Sequence, residues 1–73
     1  MHSVRDQKFL NRLAKNLKKV RKDRGISQEE LAYKSGLTLS QIARIETAKI
    51  NTTVSTIHVI LQALGADANE LFE

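Results

Sequence analysis

Polar side chains in the middle of the chain are spaced in a way that suits hydrogen bonding to a second molecule. Ser40, Arg44 and Thr47 recur at intervals of four and three residues, so a helix would place them on one face. Ile42 and Ile45 fall on the opposite face. A guanidinium can donate two hydrogen bonds to a guanine edge and a hydroxyl can donate or accept one, so this face is suited to reading base edges in DNA.

The two residues before this group extend the same surface. Thr38 and Leu39 stand at the N-terminal end of the predicted helix, where Leu39 either packs on a thymine methyl or packs against the protein. Ser40 suits a direct contact to a base edge as well as it suits a water-mediated contact or a phosphate contact. For Arg44 a base contact is the favoured role, ahead of a phosphate contact or a solvated surface position.

The sequence offers no group of residues suited to catalysis or to metal binding. There is no Cys, and the two histidines, His2 and His58, are too far apart to suggest a metal-ligand pair. No acid–base pair, activated nucleophile or phosphate-binding loop can be identified. We therefore expect neither an enzyme nor a metal or cofactor site, and we interpret His58 as a surface or interface residue.

The positive charge is concentrated at the start of the sequence. The 73 residues carry a net charge of +4, but residues 1–25, 26–50 and 51–73 carry +7, 0 and −3. A basic first third suits a polyanion such as nucleic acid, because neutralised phosphates release their counterions. It equally suits a solvated helix face, so charge by itself does not decide.

Apolar periodicity predicts a helix over about 7–23. Leu10, Leu13, Leu17 and Val20 form its buried stripe, and Gly25 follows where a left-handed cap would end the helix.

Two short helices separated by a sharp turn should follow. Ser27 with Glu30 has the pattern of a capping box, and it predicts a helix from about 28 to 35. Gly36 supplies the turn, and Thr38 with Gln41 repeats the capping pattern ahead of a helix at about 39–47.

The rest of the chain predicts a loop, a fourth helix and a short fifth one. Residues 48–53 lack periodicity, and Thr53 is a candidate N-cap. The predicted apolar face of the fourth helix is Val54, Ile57, Ile60, Leu61 and Leu64. Leu71 and Phe72 follow a further capping pattern, which predicts the short fifth helix. We interpret the aromatic side chains of Tyr33 and Phe72 as packing against the protein. The fold class predicted is all-α, a compact four- to five-helix domain spanning residues 1–73.

Three segments together resemble a known family. They are Gly25-Ile26-Ser27-Gln28-Glu29-Glu30-Leu31-Ala32, Ser35-Gly36-Leu37-Thr38 and Gln41-Ile42-Ala43-Arg44-Ile45-Glu46. The sequence resembles Xre-type helix-turn-helix domains, those of phage repressors and Cro, over about residues 10–72. The resemblance implies a phage-repressor-like fold, with the helix-turn-helix at about 28–47.

The resemblance also implies roles for individual residues. Base contacts fall on Thr38, Leu39, Ser40 and Arg44, and phosphate contacts on Gln28, Gln41, Lys49, Asn51 and Thr53. Arg21 and Glu46 match a structural ion pair that would tie the first helix to the end of the third. For Gln28 the polarity of the second helix supports the same role independently.

Two residues depart from the family pattern in the loop after the third helix. Ala48 stands where Gly is usual, and Thr52 where Pro is common. A positive φ at Ala48 would cost about 1 kcal/mol, so we expect either a changed turn or tolerated strain. The roles of Lys49 and Asn51 depend on the conformation of this loop.

We expect a cytoplasmic regulator that binds double-stranded DNA as a homodimer at a palindromic operator, without a membrane segment or an effector domain. A single domain reads too few base pairs to discriminate against a genome, which favours a symmetric dimer. Its interface is predicted at the apolar C-terminal residues Leu61, Leu64, Leu71 and Phe72. The alternative is an antitoxin or coactivator-like module whose main task is to bind a protein partner.

Overall fold

The computed structural model describes residues 5–73, which contain five helices and no strand. The helices are α1 (Gln7–Asp23), α2 (Gln28–Ser35), α3 (Leu39–Glu46), α4 (Val54–Leu64) and α5 (Ala68–Phe72). The all-α prediction is confirmed, and the three helices whose bounds were predicted, α1, α2 and α3, begin and end within a residue of them. None of the helices in this part of the chain is long and apolar enough to cross a bilayer.

Side-chain caps account for where the helices begin. The Thr38 hydroxyl accepts from the Gln41 backbone N–H at 3.0 Å, and the Gln41 side chain accepts from the Thr38 N–H at 2.8 Å, as the capping-box pattern predicts. At α2 only half of the predicted box forms. The Ser27 hydroxyl accepts from the Glu30 N–H, but the Glu30 carboxylate pairs with Lys34 one turn later, at 3.1 Å.

One core joins all five helices. Its five largest fully buried side chains come one from each helix, and they are Leu17, Leu31, Ile42, Ile60 and Leu71. Helix α5 packs on α1, and α2 packs on both α3 and α4. The short helices α2 and α3 therefore depend on tertiary packing, since eight residues are too few for a stable isolated helix.

Polar contacts hold α5 against α1. The Asn16 side chain donates to the Leu71 carbonyl at 2.9 Å. The Arg24 guanidinium donates to both oxygens of Glu70, at 3.0 and 3.1 Å. The pKa of Glu70 is lowered, first because its carboxylate accepts from the backbone N–H of Asp67 and next because Arg24 lies beside it.

Candidate nucleic-acid interface

The helix-turn-helix is built by α2, the turn at Gly36 and α3. Gly36 has φ +77°, a left-handed conformation that a side chain would disfavour. Leu31 and Ala32 of α2 share one buried cluster with Ile42 and Ile45 of α3. Helix α2 therefore braces α3 from the inside, as predicted, and leaves the other side of α3 to solvent.

The solvent side of α3 carries the residues predicted to read bases. Ser40, Arg44 and Thr47 are exposed, and Leu39 is 46% exposed, so part of its side chain is accessible to a partner. Within residues 5–73 the Arg44 guanidinium makes no hydrogen bond or ion pair. The Thr47 hydroxyl, in contrast, donates to the Ala43 carbonyl at 2.9 Å. Arg44 is therefore the strongest unengaged donor on this face.

A buried ion pair joins α1 to the end of α3. The Arg21 guanidinium donates to both oxygens of Glu46, at 2.6 and 3.0 Å, and the two side chains are 10% and 1% exposed. Arg21 also donates to the Ile26 carbonyl at 2.8 Å. Bidentate geometry and the extra carbonyl satisfy both charges, which a buried pair requires.

Gln28 extends this network to the start of α2. Its side-chain N–H donates to Glu46 at 3.0 Å, so Glu46 connects α1, α2 and α3. An amide nitrogen has two hydrogens, and the second one remains available for a phosphate. The amide of Gln28 is thus oriented by the protein before any ligand arrives.

The loop after α3 keeps a left-handed residue in spite of having no Gly there. Ala48 has φ +58°, so of the two outcomes expected the structure has the strained one. Its methyl group is buried with Leu10 and Ala14 of α1, and its carbonyl accepts from Gln7 at 3.1 Å and from Arg5 at 3.3 Å. These contacts hold the strained conformation in place.

Arg5 and Gln7 are residues that the sequence reasoning missed. Arg5 also donates to the carbonyl of Lys49 at 3.3 Å. More than forty residues separate these partners along the chain. No local pattern links residues so far apart, because their contact exists only once α1 has packed on α3.

The other residues predicted to contact phosphate lie on or beside this loop. Lys49, Asn51 and Thr53 are exposed. Thr53 caps α4, since its hydroxyl accepts from the Thr56 N–H at 3.2 Å. Gln41 is also exposed, and its capping contact uses the carbonyl oxygen and leaves the amide hydrogens free to donate. Phosphate contacts by these residues stay a prediction.

The predicted subunit interface needs correction at two of its four residues. Leu64 is 4% exposed and Leu71 is fully buried, because both complete the core beneath α4 and α5. They cannot line an interface between subunits. Leu61 is half-buried and Phe72 is 37% exposed, so these two side chains remain at the surface.

Two further apolar residues lie differently from the prediction. Tyr33 is 89% exposed and packs in no core, and Val54 is 87% exposed because it begins α4 before the helix reaches the core.

Phe72 does pack, against Phe9 of α1, with ring centroids 5.7 Å apart. An apolar cleft of about 550 Å³ runs beside these rings, and His58 lines it.

A family model described as helix-turn-helix matches residues 17–71. The transcriptional regulator PuuR of Escherichia coli is 38% identical over 58 residues, which are 80% of this chain and 31% of PuuR. The control protein C.SmaI of Serratia marcescens is 36% identical over 59 residues, which are 81% of this chain and 70% of that protein.

The restriction-modification controller protein C.AhdI of Aeromonas hydrophila has a similar crystal structure. Its TM-score is 0.83 at 33% identity, and the match covers 86% of this chain and 96% of that one. The chain thus spans nearly the whole of one relative but only about a third of PuuR. This chain belongs to the Xre-type helix-turn-helix family of transcriptional regulators.

Proposed function

We propose that this chain is a sequence-specific DNA-binding domain that places α3 in the major groove of duplex DNA and regulates transcription. The observation that carries the proposal is the solvent face of α3, where Arg44 is exposed beside Ser40 and Leu39. The major groove is wide enough for a helix, and a free guanidinium suits a guanine edge. The names of these relatives, a transcriptional regulator and two control proteins, agree with this role.

Contacts to the DNA backbone would fix the orientation of α3. Gln28 lies at the N-terminus of α2 and Thr53 at that of α4, where backbone N–H groups and the helix dipole favour an anion. Lys49, in the loop between α3 and α4, would add a positive charge to this surface. These contacts position the protein and carry no sequence information.

Replacing Arg44 with Ala tests the reading role. The expected result is a loss of about 1 to 3 kcal/mol at the preferred site and relaxed preference at one base pair. Site selection from a random duplex pool, followed by binding titrations, measures both quantities. Lys49→Ala is the matched control, since removing a charge that faces phosphate should weaken all duplexes alike. An Arg44→Ala variant that weakened every duplex equally would contradict base reading.

The regulator is proposed to act as a two-fold dimer on a palindromic site. Half-sites would lie one helical turn apart, roughly 34 Å between equivalent α3 helices. The apolar cleft beside Phe9, Leu61 and Phe72 is the surface proposed for the second copy, since a dimer would cover these partly exposed side chains. Sedimentation equilibrium should show a dimer, and a monomer at tens of micromolar with and without DNA would refute it.

A further inference from the structure

A row of lysines on α1 lies next to the proposed DNA surface. Lys15, Lys18 and Lys22 line an open groove of about 430 Å³ between α1 and the end of α3. Thr47 and Ala48 line the opposite side of the same groove. Thr47 also belongs to the solvent face of α3, so the groove borders the proposed DNA surface.

The charge of this groove is positive and uncompensated. Within residues 5–73, the ammonium groups of Lys15, Lys18 and Lys22 have no carboxylate partner, whereas Lys19 is paired with Asp23 at 2.8 Å. Glu46 also borders the groove, but its carboxylate is buried and bound by Arg21. A ligand entering the groove would therefore meet three free ammonium groups.

The spacing of the lysines fits a phosphodiester backbone. Seven residues separate Lys15 from Lys22, which is roughly 10 Å along a helix at 1.5 Å per residue. One DNA strand rises about 3.4 Å per phosphate along the duplex axis, and successive phosphates lie farther apart than this because the strand also winds around the axis. The row of lysines is therefore long enough to reach two neighbouring phosphates of one strand. A duplex held by α3 continues past the end of the helix-turn-helix, and its flanking backbone passes the neighbouring surfaces.

We propose that this lysine groove, defined by Lys15, Lys18 and Lys22, binds the DNA backbone that flanks the sequence read by α3. The proposal rests on the proposed function and adds a second contact region to it. The groove adds affinity and salt dependence and does not change which bases are preferred, because phosphates carry no direct sequence information.

The test compares two variants of equal charge. Lys18→Gln with Lys22→Gln removes two charges from the groove. Gln62→Glu with Asn69→Asp changes the net charge by the same amount at exposed positions of α4 and α5 that do not line the groove. The control pair is nearly isosteric, the lysines are replaced by a polar uncharged side chain, and circular dichroism checks that each variant folds. Affinity for the selected duplex, with long flanks, is then measured over a range of salt concentrations.

The groove variant should show a shallower dependence of log affinity on log salt. The slope should change by about 0.9 for each phosphate that is no longer neutralised, or nearly 2 in total. Its ratio of specific to nonspecific affinity should equal that of the wild type. In addition, ethylation of flanking phosphates should weaken wild-type binding more than binding by the groove variant, which keeps only Lys15 of the three lysines.

The proposal would be overturned if the slope of log affinity against log salt were unchanged in the groove variant, or if it changed equally in the control. The lysines would then be a solvated helix face or a site for an acidic protein. The proposed function would then still stand, provided that sequence-specific binding by the wild type is seen. A wild type that binds no duplex would refute the function itself.

Discussion

Replacing Glu46 with Ala should destabilise the fold severely, even though the residue lies in no apolar core. The substitution removes both hydrogen bonds that Arg21 makes to the carboxylate and leaves a guanidinium that is 10% exposed without its counter-ion. Removing one partner of a buried pair costs about 3 to 5 kcal/mol. A domain of 73 residues has a total stability of roughly 4 to 11 kcal/mol, so the variant loses a large share of it.

Urea denaturation followed by circular dichroism at 222 nm measures this loss. The midpoint should fall with little change in m, and the Tm should drop by more than about 12 °C, at about 4 to 8 °C per kcal/mol. The double variant Arg21→Met with Glu46→Leu should recover most of the stability, because it leaves no buried charge unpaired.

Asp23→Ala is the control for this experiment. It breaks the ion pair between Lys19 and Asp23, whose side chains are 72% and 60% exposed, respectively. The urea midpoint should stay nearly unchanged, because solvent screens an exposed pair. A cost below about 1.5 kcal/mol for Glu46→Ala, or a double variant as unstable as the single one, would refute the reasoning.

Three other substitutions test local features of the fold. Thr52→Val should stabilise the domain by about 1 kcal/mol, because the Thr52 hydroxyl is buried with no hydrogen-bond partner among residues 5–73. Ala48→Gly should change stability by less than about 1 kcal/mol, since relief of the positive φ offsets the reduced burial of the methyl group. Its comparison is Ala14→Gly, in the same cluster but mid-helix, which should cost about 2 kcal/mol. Glu70→Gln should destabilise the domain at neutral pH, where Glu70 is ionised. The difference in stability from wild type should shrink as the pH falls through the lowered pKa of Glu70, because the contacts that lower this pKa stabilise the fold only while the carboxylate is ionised.

Chemical denaturation measures the stability of Thr52→Val and of the two glycine variants. Thermal melts between pH 7 and pH 3 measure the stability of Glu70→Gln. A destabilised Thr52→Val variant would mean that the hydroxyl has a partner in solution. Equal costs for the two glycine variants would show that the left-handed residue is unstrained. A difference for Glu70→Gln that grows on acidification would contradict the expected sign.

The helices and their inward faces could be predicted from the sequence because the signals are local. Capping residues stand three positions from their partners, as Thr38 and Gln41 do, and buried residues recur every three or four positions. The same spacing of three and four residues predicted which face of α3 carries Arg44. The Arg21 and Glu46 pairing came from a family resemblance, since nothing local connects residues 25 positions apart.

Only the tertiary structure decided which apolar residues remain outside and how the loop after α3 is held. Periodicity shows which face of a helix is apolar but not how far a neighbouring helix covers it, so Leu64 and Leu71 went inside while Tyr33 and Val54 stayed out. In the same way, the strain at Ala48 is tolerated because of side chains on α1 and just before it, which meet the loop only after folding.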